Sequence, residues 1–142
     1  IPGATSRSYT VGKDDRKTQL RVRVTVSRPG HSDVVWTSGR KSAGRAAPSL
    51  SVSTPKLKAG KKFTMKVKVT LFDKSTPVGR VKISGKKTSK AIKLTKGDEG
   101  VVKIPIVGLP KGKHKFTVRF YPESPTSKHF RFVKKEFTLE VK

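Results

Sequence analysis

The sequence predicts an all-β chain, an antiparallel β-sandwich preceded by a short hairpin module. Apolar and polar residues alternate in segment after segment. In KKFTMKVKVTL (61–71), Phe63, Met65, Val67, Val69 and Leu71 alternate with Thr64, Lys66, Lys68 and Thr70. Turn signals containing Gly, Pro, Ser or Asp separate these segments at short intervals. No stretch shows the helical period of about 3.6 residues.

The first expected element is TQLRVRVTVS (18–27). It places Leu20, Val22, Val24 and Val26 on one face and Arg21, Arg23, Thr25 and Ser27 on the other. RPGH supplies a turn and SDVVWTS a return strand, which makes a hairpin. A lone hairpin is marginal in water and needs further strands or a partner surface. Trp36, the single tryptophan, is expected to pack against the linker or the following domain. Its sharper alternative is a solvent-facing sugar platform. TSGRKSAGRAAP then lacks apolar periodicity and is rich in Gly, Ser, Ala and basic residues, so residues 41–47 read as a linker.

Seven strands follow. Residues 49–53 put Leu50 and Val52 on one side, and PKLKAGK turns into strand 61–72. VGRVKIS (78–84) points Val81 and Ile83 inward and Arg80 and Lys82 outward. AIKLT (91–95) carries Ile92 and Leu94. VVKIPIV (101–107) carries Val102, Ile104 and Ile106. Pro105 has no N–H to give a ladder, so that strand is expected at an edge or with a bulge. HKFTVRFY (114–121) offers Phe116, Val118 and Phe120, and a long last strand runs from about His129 to Val141. Seven short strands with turns between them fit two packed sheets with a shared core. The expected organisation is a partial module over 1–40, the linker over 41–47 and a sandwich over 48–142.

Charge dominates the composition. The chain has 34 Lys and Arg against 9 Asp and Glu, a formal net charge of +25. The basic residues are mostly arginine as far as Arg45, and afterwards arginine occurs only at Arg80, Arg119 and Arg131. Such a balance predicts attraction to acidic polymers, nucleic acids or anionic headgroups. No run of about 18 apolar residues offers a membrane span. Cysteine is absent, which excludes disulfides, thiolate metal sites and a cysteine nucleophile. Asparagine is absent too, which excludes N-glycosylation and a Lys–Asn isopeptide crosslink, though not a Lys–Asp one.

Two motif sets carry a resemblance. TPVGRVKIS matches a Pro-x-Gly-x-Val strand start, and GLPKGKHKFTVRFYPES matches a strand entered by glycine and ended by tyrosine. On these, residues 48–142 resemble the bacterial Ig-like repeat domains found in tandem on secreted and surface proteins. IPGATSRSYT, DDRKTQLRVRVTVSRPG and DVVWTS are similar to a small β-module seen beside such domains in high-GC Gram-positive bacteria. Those modules have earlier strands, one containing tryptophan, so the resemblance implies a C-terminal piece of a larger protein. It also implies an immunoglobulin-like sandwich, upstream domains as neighbours, and a secreted or cell-surface location.

No catalytic constellation stands out. The acids fall in turns or on outward strand positions, and His31, His114 and His129 lack metal-ligand spacing. No Gly-rich phosphate loop occurs, and no cofactor is expected. The expectation is therefore a non-catalytic structural or adhesive module, a spacer that also contacts anionic wall polymers or polysaccharides. Lys66, Lys68 and Lys103 on one sheet, and Arg80, Lys82, Lys115 and Arg119 on the other, are the candidate contacts. The bland reading of these residues is a solvated face that discourages edge pairing. Two rivals are a carbohydrate-binding accessory module of a secreted hydrolase, using Trp36, and a nucleic-acid binder. Outward aromatic residues are expected to be missing, which leaves nucleic acid only non-specific contact.

Overall fold

Period-two alternation puts every second side chain on one face of a strand, so an apolar face is buried only where a second sheet covers it. The computed structural model describes residues 1–12, 14–16, 18–85 and 88–142. It divides into two units, Ile1–Arg45 and Ala46–Lys142.

In the first unit, the expected strand 18–27 is split into β1 (Gln19–Leu20) and β2 (Arg23–Val26). The cause is a change of partner. β2 pairs with β3 (Val34–Thr37), whereas β1 pairs with β4 (Lys41–Ser42). At the join, the Val22 amide donates to Ser38 Oγ at 2.9 Å, and the Ser38 amide donates to the Val22 carbonyl at 2.8 Å. β4 lies inside the segment expected to be a linker. Lys41 and Ser42 are strand residues, Ala43 is buried, and Ala46 forms a bridge with Phe130 in the second unit's own fold. Lys41 and Ser42 are thus paired within the first unit and Ala46 within the second, which their composition does not announce.

The second unit is the expected all-β sandwich. β5 (Ser49–Ser53), β6 (Phe63–Thr70) and β9 (Val101–Ile106) form one sheet in the order β5-β6-β9. β7 (Gly79–Gly85), β8 (Thr88–Leu94), β10 (Gly112–Pro122) and β11 (Val133–Val141) form the other in the order β11-β10-β7-β8. All pairings are antiparallel. The chain crosses between sheets after β6, β8 and β9, which is the Greek-key wiring of an immunoglobulin-like sandwich with its fourth strand on the larger sheet.

The inward sets meet as predicted. Met65, Val67, Ile104, Val81, Ile83, Leu94, Val118 and Phe120 are fully buried, with Leu50, Val102, Ile106, Phe116 and Val141 around them. Burial of each such side chain contributes about 1.5–3 kcal/mol relative to exposure. β9 is an edge strand, as Pro105 requires. The last strand starts later than expected: after a 3₁₀ turn at Thr126–Lys128, Phe130 bridges to Ala46, and Val133 is the first residue of β11. Thr126 is buried there and its hydroxyl accepts from the Val78 amide at 2.8 Å, while Phe130 is sealed beneath Phe72 with ring centroids 5.4 Å apart.

Both open sides of the sandwich are bridged by a lysine. On one, Lys90 of β8 donates to the Pro105 carbonyl of β9 at 2.7 Å. On the other, Lys135 of β11 donates to the Leu50 carbonyl of β5 at 3.1 Å. Gly79 lies where strand β10 comes closest. A Cβ there would collide with the Tyr121 carbonyl oxygen and lie 2.8 Å from the Phe120 ring. Gly112, at φ 125°, makes the left-handed turn that feeds β10.

Candidate polyanion interface

Register decides which cations are neighbours. On the outer face of β5-β6-β9, Lys66 stands directly opposite Lys103, and Lys68 opposite Ser51. These three strands contain no carboxylate; their other outward residues are mostly Ser and Thr. Like charges directly opposite each other in a sheet are destabilising. Nothing within these strands offsets the Lys66–Lys103 pair.

The outer face of the larger sheet is also basic. Arg119 stands between Lys82 of β7 and Lys134 of β11, making a row of three cations across three strands. Tyr121 stands opposite Arg80, which in turn stands opposite Lys93. Lys115 continues the same side of β10, opposite Thr138. Carboxylates intrude here. Arg80 pairs with Glu123 and Lys134 with Glu136, each at 3.4 Å between exposed groups. Exposed pairs of that kind are weak and screened by salt. Arg119 Nη1 donates to Ser84 Oγ at 2.8 Å, which ties its guanidinium to the neighbouring strand β7.

The structure thus groups the predicted cations into two sets on opposite faces, Lys66, Lys68 and Lys103 on one and Arg80, Lys82, Lys115 and Arg119 on the other. One expectation is overturned. Tyr121 is 42% exposed and Phe132 41%, with ring centroids 5.0 Å apart, so aromatic rings do stand among the outward cations. Parity would have given Tyr121, since Phe116, Val118 and Phe120 all point inward. Phe132 follows in the same way, since it lies within the expected strand 129–141 and out of phase with the inward Phe137, Leu139 and Val141.

The first unit adds a cleft of about 540 Å³ lined by Arg7, Tyr9, Arg21, Arg23 and Lys41 and, among the described residues, by no carboxylate. Asp15, outside the lining, holds one of its residues in place. Its Oδ2 accepts from the Tyr9 hydroxyl and from the Gly12 amide, both at 2.7 Å. Arg16 fixes the adjoining segment by donating to the Val11 and Gly44 carbonyls at 3.2 and 3.0 Å. The Tyr9 hydrogen bond, with the Gly12 amide behind it, holds the Asp15 carboxyl below its ordinary range. The same bond to Asp15 raises the Tyr9 hydroxyl above its own.

Trp36 is 59% exposed on β3, opposite Val24. Val22, Val24, Val26 and Val34 are exposed as well, so among the described residues of the first unit nothing covers this ring or the apolar side of the hairpin. Alternation marks a face as apolar but does not say whether anything covers it. Among the described residues, no three His, Asp or Glu side chains converge as metal ligands, and no helix is long and apolar enough to cross a membrane. No protein-family model matches the chain, and comparison with curated proteins finds no match.

Proposed function

We propose that this chain is a non-catalytic, immunoglobulin-like structural module of a secreted or wall-associated bacterial protein, and that it contacts anionic wall polymers through its exposed cations. The bacterial and surface part of this reading rests on the motifs around Gly79 and Tyr121 and on the IPGAT segment. The polyanion part is carried by one observation. Lys66 faces Lys103 across a strand pair, with Lys68 beside them, in a sheet whose strands hold no carboxylate.

Exposed lysines bind phosphate-rich polymers as point charges, without a shaped pocket, so affinity falls as salt rises. The test is sedimentation with purified Gram-positive cell wall, with and without its anionic polymers. Binding that disappears when those polymers are stripped, and weakens steadily with salt, supports the proposal. Equal binding to stripped wall refutes the electrostatic part.

A second reading is favoured by the exposure of Trp36, which an accessory module of a secreted hydrolase would use as a sugar platform. Its neighbours on that face are valines rather than further rings. As the only tryptophan, Trp36 reports on the question directly. A saturable shift of its emission with neutral polysaccharide, lost at high dilution of the sugar only, would favour this second reading over the first.

A further inference from the structure

We propose that the outer face of β7, β10 and β11 binds single-stranded nucleic acid, with bases stacking on the Tyr121–Phe132 pair and phosphates lying on Arg80, Lys82 and Arg119. This goes beyond the wall-polymer reading, which needs charge alone.

Register imposes a grid on this face. Neighbouring strands lie about 4.8 Å apart and same-face residues along a strand about 6.8 Å apart. Tyr121 therefore has Arg80 directly beside it, Arg119 one step along its own strand and Lys82 on the diagonal. Phe120 pairs with Val133, and continuing that register by one residue brings Phe132 opposite Tyr121, where the ring contact is found. An exposed aromatic pair thus borders a block of cations on one continuous surface.

Each component has a matching part in the ligand. A nucleobase offers a flat face to the exposed rings, a contact that tolerates any sequence because every base has a π-face. The backbone offers a phosphate per nucleotide to the cation row. Arg119, tied to β7 by Ser84, carries a planar guanidinium suited to phosphate oxygens. Glu123 and Glu136 lean on Arg80 and Lys134 from the margins, and an incoming phosphate replaces those weak exposed pairs. Duplex DNA fits less well, since its bases are stacked on each other and unavailable to Tyr121.

The test uses the full chain and a short fluorescein-labelled oligothymidylate, followed by anisotropy, with inorganic polyphosphate of similar charge as the comparison polymer. Replacing both rings (Tyr121→Ala with Phe132→Ala) is expected to weaken oligothymidylate binding by about tenfold while leaving polyphosphate binding within about twofold. Tyr121→Phe, which keeps a ring, should bind like the parent. Should the double variant fail to fold, photo-crosslinking of the unaltered chain to a bromouridine-containing strand decides the matter, with the adduct expected on Tyr121 or Phe132. Unchanged oligothymidylate affinity in the folded double variant, or an adduct confined to Trp36, overturns the inference. So does ring-dependent binding of a neutral polysaccharide without binding of the oligonucleotide, which would make the pair a sugar platform. If polyphosphate binds and the rings do not matter, only this inference fails. If neither polymer binds, the wall-polymer reading fails with it.

Discussion

Tyr9 and Asp15 show how one hydrogen bond ties local order to pH. The bond needs a protonated phenol and an ionised carboxylate. Asp15 has its folded-state titration lowered below the ordinary value of 3.8, so its contribution is present above that pH and lost as pH falls further. Tyr9 is raised above 10.0, so its contribution is present below that pH and lost as pH climbs past it. The link of Tyr9 and Gly12 to Asp15 should therefore hold over a broad central window and loosen at both ends. Tyr9→Phe should abolish the alkaline limb and weaken the acid one, leaving only the part that the Gly12 amide supports, which amide exchange at Gly12 would register. Asp98 adds to the acid limb, because its carboxylate accepts from the Thr95 hydroxyl and amide and is also held low. At Gly79 the issue is space instead. A methyl group would press on the Tyr121 carbonyl and the Phe120 ring, so Gly79→Ala should cost about 1–3 kcal/mol in chemical denaturation.

At the scale of elements, strand alternation was readable wherever a core covers it. Val67, Ile83, Ile104 and Phe120 all lie where parity puts them. What parity leaves out is the partner. Leu20 and Val24 belong to one periodic run yet pair with different strands, and the hairpin's valines are regular but uncovered. Phe130 is buried by a turn whose anchor, the Thr126 hydroxyl on the Val78 amide, joins residues far apart in sequence. The candidate site divides the same way. The cations were legible by parity, whereas the facing of Lys66 and Lys103, and the meeting of Tyr121 with Phe132, follow from register between strands distant in the chain. The sheet edges offer a direct test. Replacing Lys90 and Lys135 together by methionine keeps their stems but removes both bridges to the opposite sheet. It should lower stability by about 1 kcal/mol, seen as a shifted urea midpoint with unchanged slope. The exposed edges would also lose the charges that discourage pairing with another copy.

For the whole molecule, self-repulsion is the main electrostatic fact. A net charge of +25 on 142 residues works against any compact state, and salt relieves it. The thermal midpoint should therefore rise between low salt and about 0.5 M sodium chloride, a range in which the Debye length shrinks well below the about 10 Å of 0.1 M solution. Polyphosphate should give the same gain at far lower concentration if the proposed contacts form, because a polymer places several anions on one face together. A midpoint that is flat or falling with salt would show that the cations are already compensated within the fold.

The crossing from β6 to β9 sets a further property, the tempo of folding. β6 finds its second neighbour only after β7 and β8 have gone to the opposite sheet, and β10 must return to β7 across the same interval. Neither half of the core closes from local hairpins alone, so the chain must shut long loops before burial rewards it. Refolding of the second unit should accordingly fall in the range of about milliseconds to seconds, as for other Greek-key sandwiches, and stopped-flow circular dichroism would time it. During that interval the apolar sides of β6 and β10 are open to solvent. The lysines alternating along KKFTMKVKVTL then hold neighbouring chains apart until the second sheet arrives.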